Sequence, residues 1–293
     1  MIPAKIHLAH LPTRIEPLPR LSAALGGPRI FCKRDDQTGL GFGGNKTRKL
    51  EYLVAEVQRA GADLLVSVGA IQSNHCRQVA AAAARTGLDC TLVLSGEEPD
   101  RKSGNLLLDH LFGAKVVWAT RENRLEVMQE VISKAAADGQ KPYEIPYGGS
   151  STVGMLGCVE AMRELVDAGE PFDWIVTASS SGGTQAGMIL GSILHGFHGR
   201  ILGIAIEGSE SELKGIVTRL ISDCISEFGL NVDFSLDSIL VNDHYIGAGY
   251  GMMAAPEIEA IKLAASLEGL LLDPVYTGRA AAGMIDLVRK GFF

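Results

Sequence analysis

Asp35-Asp36-Gln37-Thr38-Gly39-Leu40-Gly41-Phe42-Gly43-Gly44-Asn45-Lys46-Thr47-Arg48-Lys49-Leu50-Glu51 is the stretch on which the reading of this chain turns. Gly39-x-Gly41-x-x-Gly44 matches the glycine fingerprint of a dinucleotide loop. That loop wants its first glycine directly after a strand, and a carboxylate about 20 positions further on. Here Asp35 to Thr38 intervene, and the next apolar run ends in Gly69-Ala70-Ile71 with no acid. The other reading makes Asn45 a helix cap and puts Lys46 in the first turn. Leu50, Leu53, Val54 and Val57 then fall on one helical face, and Gly61 ends the helix. A cation in a first turn faces the positive end of the helix dipole. That is a poor place for a structural lysine and a useful one for an amine that must shed its proton to attack a carbonyl or imine. A solvated surface lysine is the plainer alternative. Arg48 and Lys49 read as solvated or paired on the helix face.

Outward from this stretch, short β-like runs alternate with helical patterns. Candidate strands are 30–33, 64–68, 90–94, 115–118, 142–145, 174–177, 201–206 and 238–241. Candidate helices, besides the one at Lys46, are 79–84, 125–137, 153–166, 186–194 and 258–267. Repeated strand–helix units mean an α/β fold with mostly parallel sheets covered on both faces. The glycine-rich points fall between strands and helices, where α/β folds bind ligands.

Two of those turns carry chemistry. Gln72-Ser73-Asn74-His75 follows a strand and opens an Ala-rich helix, which sets hydroxyl, amide and imidazole at the sheet's carboxyl edge. Capping by Ser73 or Asn74 explains one of these residues but not the row. Ser179-Ser180-Ser181-Gly182-Gly183-Thr184 also leads from strand to helix. Small residues with backbone N–H groups at a helix start make an anion cradle. Without a Gly-Lys-Ser/Thr sequence, a single phosphate suits it better than a triphosphate. An ordinary tight connection is the alternative.

A lysine, a polar turn and a phosphate cradle are what pyridoxal phosphate requires. Lys33-Arg34-Asp35-Asp36, Gly43-Gly44-Asn45-Lys46-x-Arg48-Lys49-Leu50-Glu51, Gln72-Ser73-Asn74, Gly182-Gly183-Thr184-Gln185-Ala186-Gly187 and Asp273-Pro274-Val275-Tyr276-Thr277-Gly278 run from residue 33 to 278. In these blocks the chain resembles the fold-type-II pyridoxal-phosphate family that contains D-cysteine desulfhydrases and 1-aminocyclopropane-1-carboxylate deaminases. The resemblance implies a tryptophan-synthase-β-like fold of two open, mostly parallel sheets flanked by helices. It also implies a large cofactor-binding domain (1–46 plus 156–293), a small inserted domain (47–155) and a homodimer. By the same resemblance Lys46 is the Schiff-base lysine, and Asn74 bonds the cofactor's ring hydroxyl. Ser181, Gly182, Gly183 and Thr184 take the phosphate. Ser73, Asn74, His75, Tyr250, Tyr276 and Thr277 meet the substrate, with Lys46, Ser73, Tyr250 and Tyr276 as the catalytic set.

Within the resembled family, deaminases of the cyclopropane amino acid carry Glu after the Asp-Pro-Val-Tyr motif, and desulfhydrases carry Thr or Ser. Thr277 therefore implies a lyase that eliminates sulfide from D-cysteine and leaves pyruvate and ammonia. The segment Thr184 to Met188 reads more like the deaminases, and L-cysteate sulfo-lyases share most of the motifs. A cofactor-binding protein without catalysis is the alternative from another class. Ser180 stands where relatives often have Gly. Past residue 293 the resemblance implies a further strand and a Thr-Gly-Gly turn near the pyridine nitrogen. A chain without them would lack a cofactor contact.

Composition bounds the rest. A net charge of −7 and a pI near 5.5 argue against nucleic acid as a partner. Pro3, Pro12, Pro17 and Pro19 break any signal-type apolar helix, and no run spans a bilayer. A cytoplasmic enzyme acting on a small amino acid is the expectation. Cys32, Cys76, Cys90, Cys158 and Cys224 read as free thiols, mostly buried. His195 and His198 lack a nearby third ligand, so no metal is expected.

Overall fold

The computed structural model describes residues 2–293. In chain order the elements begin with β1 (Ile15–Pro17), α1 (Pro19–Leu25), β2 (Phe31–Lys33), α2 (Lys46–Ala60), β3 (Leu64–Ala70), α3 (Asn74–Thr86) and β4 (Asp89–Ser95). Next come α4 (Gly104–Leu111), β5 (Lys115–Ala119), α5 (Arg124–Ala137), β6 (Pro142–Ile145) and α6 (Thr152–Asp167). The rest are β7 (Trp174–Ser179), α7 (Gly183–His195), β8 (Arg200–Ala205), α8 (Glu210–Phe228), β9 (Leu240–Asn242), α9 (Ala255–Glu268) and α10 (Thr277–Arg289).

The chain divides into two compact units, one of Met1–Thr13 with Asp35–Gly157, the other of Arg14–Arg34 with Cys158–Phe293. The sequence-based expectation cut instead at 46/47 and 155/156. The difference lies in residues 1–13 and 35–46, which bond inside the first unit. His10 N–H donates to Thr38 O, Gly44 N–H to Asp35 O, and the Arg48 guanidinium to Asp35.

The first unit holds a four-stranded parallel sheet in the order β5-β4-β3-β6. Its central strands are continuous apolar runs because helices cover both faces. Leu64, Val66 and Val68 of β3 meet Met128 and Ala135 of α5. The alternate positions turn the other way, where Ser67 meets His75 of α3. Ala80 to Ala83 are buried and let α3 lie close to the sheet.

The second unit holds a parallel sheet, β7-β8-β9, and the antiparallel pair β1-β2. Leu202 and Ile204 of β8 bury against Ala280 and Leu287 of α10. Leu21 of α1 and Ala264 of α9 share a second cluster.

Each strand expected from sequence is present within a residue or two. Unexpected were β1, whose Pro17 suits only an edge strand, and helices α1, α4, α8 and α10. The longest of these, α8, did carry signals. Ser209 and Glu212 form a capping box, and Leu213, Val217, Ile221 and Cys224 make its buried stripe. All five cysteines are free; Cys76, Cys90, Cys158 and Cys224 are buried and Cys32 is half-buried. Among the described residues no helix is long and apolar enough to cross a membrane.

Candidate active site

In the first unit the glycine-rich stretch is a set of tight turns ending at α2. Gly39, Gly41, Gly43 and Gly44 all have positive φ, and Phe42 joins them at φ 67°. Gly43 needs its missing side chain, since a Cβ there would run into Asp36 O. Buried Thr38 closes the turn, its hydroxyl 2.9 Å from both Gly44 N and Gly44 O. From α3, Arg77 donates to the carbonyls of Gly41 and Gly43, on either side of Phe42. Beyond it lies fully buried Asp109, neither of whose carboxylate oxygens has a protein hydrogen-bond partner among the described residues. Burial pushes that carboxyl up to about 7, against the pull of Arg77.

Lys46 is the first residue of α2, as expected, but Asn45 is not its cap. Asn45 has helical φ/ψ, so its side chain is not aimed back over the first turn, and its Oδ1 accepts from Lys46 Nζ at 3.2 Å. The cap comes from Gln78 of α3, whose Oε1 accepts the Thr47 N–H (2.8 Å) and the Thr47 hydroxyl (2.9 Å). Arg48 and Lys49 are not solvated, each being 1% exposed. Arg48 grips Asp35 through two 2.8 Å bonds, and Lys49 donates to Gly148 O at 3.1 Å.

The polar turn sorts into distinct tasks. Ser73 is the N-cap of α3, its Oγ accepting Cys76 N–H at 3.1 Å, and its own O–H remains a donor. Asn105 Nδ2 donates to Gln72 O, which fixes that atom as nitrogen, so the Asn74 atom 2.9 Å away is the acceptor Oδ1. The Asn74 amide nitrogen is thereby the end offered outward. His75 faces inward. The Ser67 hydroxyl gives its proton to Ile145 O at 2.9 Å, so its oxygen accepts from His75 Nε2 at 3.0 Å. Burial, and then the cations of Lys46 and Lys49, hold this imidazole well below the ordinary histidine range and keep it neutral.

In the second unit β7 ends at Ser179 and α7 opens at Gly183. Gly182 has φ 76°, and a Cβ there would lie 2.7 Å from Ile216 Cγ2. The N-cap of α7 is Gly182 itself, which has no side chain to offer. The Oγ of Ser179, buried at the base of this turn, has no protein partner among the described residues. Ser180 Oγ donates to Glu207 at 3.1 Å, which gives the serine found where a glycine was expected a task of its own. A glycine-led helix start behind a strand's carboxyl end suits a phosphate.

The same unit brings Tyr250 and Tyr276 together, their hydroxyls 2.8 Å apart and rings edge-on. Thr277 is turned elsewhere. Its hydroxyl donates to Asp273 Oδ1 at 2.8 Å, and Asp273 also accepts the backbone N–H groups of Val275, Tyr276 and Thr277. Asp273 is therefore the cap of α10. Buried Arg279 donates to Glu257 and to the carbonyls of Ile206, Gly249 and Met252. Sequence reading singled out neither Gln78, Asn105 nor Arg279. A polar residue inside an apolar helical stripe is the one signal Gln78 and Arg279 gave.

The family model described as "Pyridoxal-phosphate dependent enzyme" matches residues 6–293. The chain belongs to that family. Its cofactor is pyridoxal phosphate, its fold is type II, and its group is that of the 1-aminocyclopropane-1-carboxylate deaminases and D-cysteine desulfhydrases. A deaminase of the first name from Methylobacterium nodulans is 41% identical over 96% of this chain and 88% of its own. A D-cysteine desulfhydrase from Klebsiella pneumoniae is 41% identical over 99% of this chain and 90% of its own. The solved structure of a deaminase homologue superposes with a TM-score of 0.90 at 38% identity, covering 98% of this chain and 88% of that one. Maize serine racemase, at 16% identity and a TM-score of 0.66, shares the fold. Each unit taken by itself carries groups that fit part of the cofactor: in one, a lysine amine at the first position of α2; in the other, a glycine-led helix start beside Ser179, whose buried Oγ has no protein partner among the described residues.

Proposed function

We propose that this enzyme eliminates hydrogen sulfide from D-cysteine, which with one water yields pyruvate and ammonia. Thr277 carries the reading. Beside Tyr276 stands a neutral hydroxyl held to Asp273 at 2.8 Å, where ring opening of a cyclopropane amino acid would be served by a carboxylate. A thiolate leaves the β-carbon readily, because a thiol is acidic at about pKa 8.5, so cysteine needs no acid at that point. A carbon leaving group does need one.

Pyridoxal phosphate, when bound, supplies the electron sink for the pair left at the α-carbon. Lys46 would hold it covalently, and the Lys46 Nζ, as a free amine, would be a base for the α-proton. The Ser73 hydroxyl donates toward the substrate carboxylate and is the second candidate base. Asn74 would donate to the ring hydroxyl, and the turn of Ser181, Gly182, Gly183 and Thr184 would receive the phosphate. The hydroxyls of Tyr250 and Tyr276, hydrogen-bonded to each other at 2.8 Å, would face the substrate. His75, committed to Ser67, stiffens the turn instead of touching substrate.

Ring opening of 1-aminocyclopropane-1-carboxylate to 2-oxobutyrate is the second reading, favoured by relatives of that name. Identity favours neither, since relatives of both names match at 41%. Side-by-side ketoacid assays decide. D-Cysteine should give pyruvate faster than the cyclopropane substrate gives 2-oxobutyrate, and the reverse order would make this a deaminase.

A further inference from the structure

Tyr250 lies in a stretch without regular structure between β9 and α9. Gly249 (φ 118°) and Gly251 (φ 74°) flank it, so the local backbone has little preference of its own. Its position has to be imposed from outside the loop. We propose that Arg279, which nothing above places against substrate or cofactor, is the positioning residue that sets the Tyr250–Tyr276 hydroxyl pair for the reaction. The inference rests on the role given above to those tyrosines.

The geometry is specific. Arg279 is 1% exposed and lies three residues past Tyr276. One terminal nitrogen donates at 3.1 Å to Gly249 O, immediately before Tyr250, and at 3.1 Å to Ile206 O just past β8. The other donates at 2.8 Å to Met252 O, just after Gly251. Nε donates at 2.9 Å to Glu257 Oε1, and the other Glu257 oxygen accepts Ala254 N–H at 3.1 Å. Burial opposes ionisation of Glu257. Hydrogen bonds from its own N–H, from Arg279 and from Ala254 outweigh that and hold its carboxyl below the usual range. The buried guanidinium therefore has a full counter-charge and keeps its terminal nitrogens for the loop. Two turns along α10, Asp286 accepts the Tyr245 hydroxyl at 2.6 Å and ties the start of the same loop. Both tyrosines thus hang from α10, Tyr276 by the chain and Tyr250 by the guanidinium. Only a planar fork with fixed donor directions can hold both flanks of Tyr250 and the carboxylate together, and an ammonium cannot.

The test is a double-mutant cycle in holoenzyme with D-cysteine. Tyr250→Phe should lower kcat. Arg279→Lys, which keeps the charge beside Glu257, should lower kcat roughly tenfold or more, the equivalent of one hydrogen bond to a charged group. The absorbance band of bound cofactor should stay as in the parent. In the Tyr250→Phe background Arg279→Lys should cost nothing further. Additive losses, or a loss of the cofactor band, would overturn the inference, because Arg279 would then act by another route. Full activity in Tyr250→Phe would sink the tyrosine reading itself and the inference with it, a result distinct from additivity. Should Arg279→Lys not fold, Glu257→Gln weakens the same hold and goes through the same cycle, where a smaller non-additive loss is expected and an additive one again overturns the inference.

Discussion

Two helix starts invite comparison, α2 in one unit and α7 in the other. Each follows glycine-rich turns, and each presents the positive end of a helix dipole. At α2 a buried amide from a neighbouring helix, Gln78, takes up the Thr47 N–H, and the side chain at the first helical position is a lysine. At α7 the N-cap is a left-handed glycine, which has no side chain of its own to give. The two starts thus differ in what meets their first N–H groups.

The largest effect should come from Lys46→Ala, which removes the amine. Turnover should fall by orders of magnitude, and the cofactor's borohydride-sensitive absorbance band should vanish. A variant that kept both would place the anchor on another lysine and erase the contrast. Next is Gly183→Asp, which sets a carboxylate among the N–H groups of α7. Cofactor titration should show a large loss of affinity. Melting of the cofactor-free protein should move little, since a negative charge at a helix start contributes only about 0.3–1 kcal/mol in favour of the fold. Unchanged affinity would take the phosphate away from α7. The smallest effect belongs to Gln78→Leu. It removes the bonds that Gln78 Oε1 accepts from the Thr47 N–H, which keeps a 3.2 Å bond to Gly44 O, and from the Thr47 hydroxyl, at a cost of about 0.5–1.5 kcal/mol per bond, seen as a lower Tm with cofactor affinity nearly kept. An undiminished Tm would mean that Gln78 is not what closes α2.

What the sequence shows of this molecule is what lies close together along it. The β3 strand is legible as an apolar run, Lys46 as a cation at a helix start, and Gly182 and Gly183 as a turn with no side chains. Ser73 is legible as a cap but not as a cap alone, since one oxygen can accept while its proton is donated. What stayed hidden acts at a distance. Gln78 closes a helix start 31 residues before it, and Arg279 reaches back 73 residues to Ile206. No local pattern names the partner of a buried polar side chain. The unit boundaries escaped for the same reason, being drawn by bonds between residues 1–13 and 35–51.

The thiols have a consequence for chemical durability. Burial pushes Cys76 and Cys224 up to about 12 and raises Cys90 as well, so at neutral pH these sulfurs stay protonated. The thiolate is the form that attacks electrophiles and peroxides. With no disulfide in the chain there is also no sulfur–sulfur bond for a reducing nucleophile to open. A protein bathed in small sulfur nucleophiles would find little in these three side chains for them to react with.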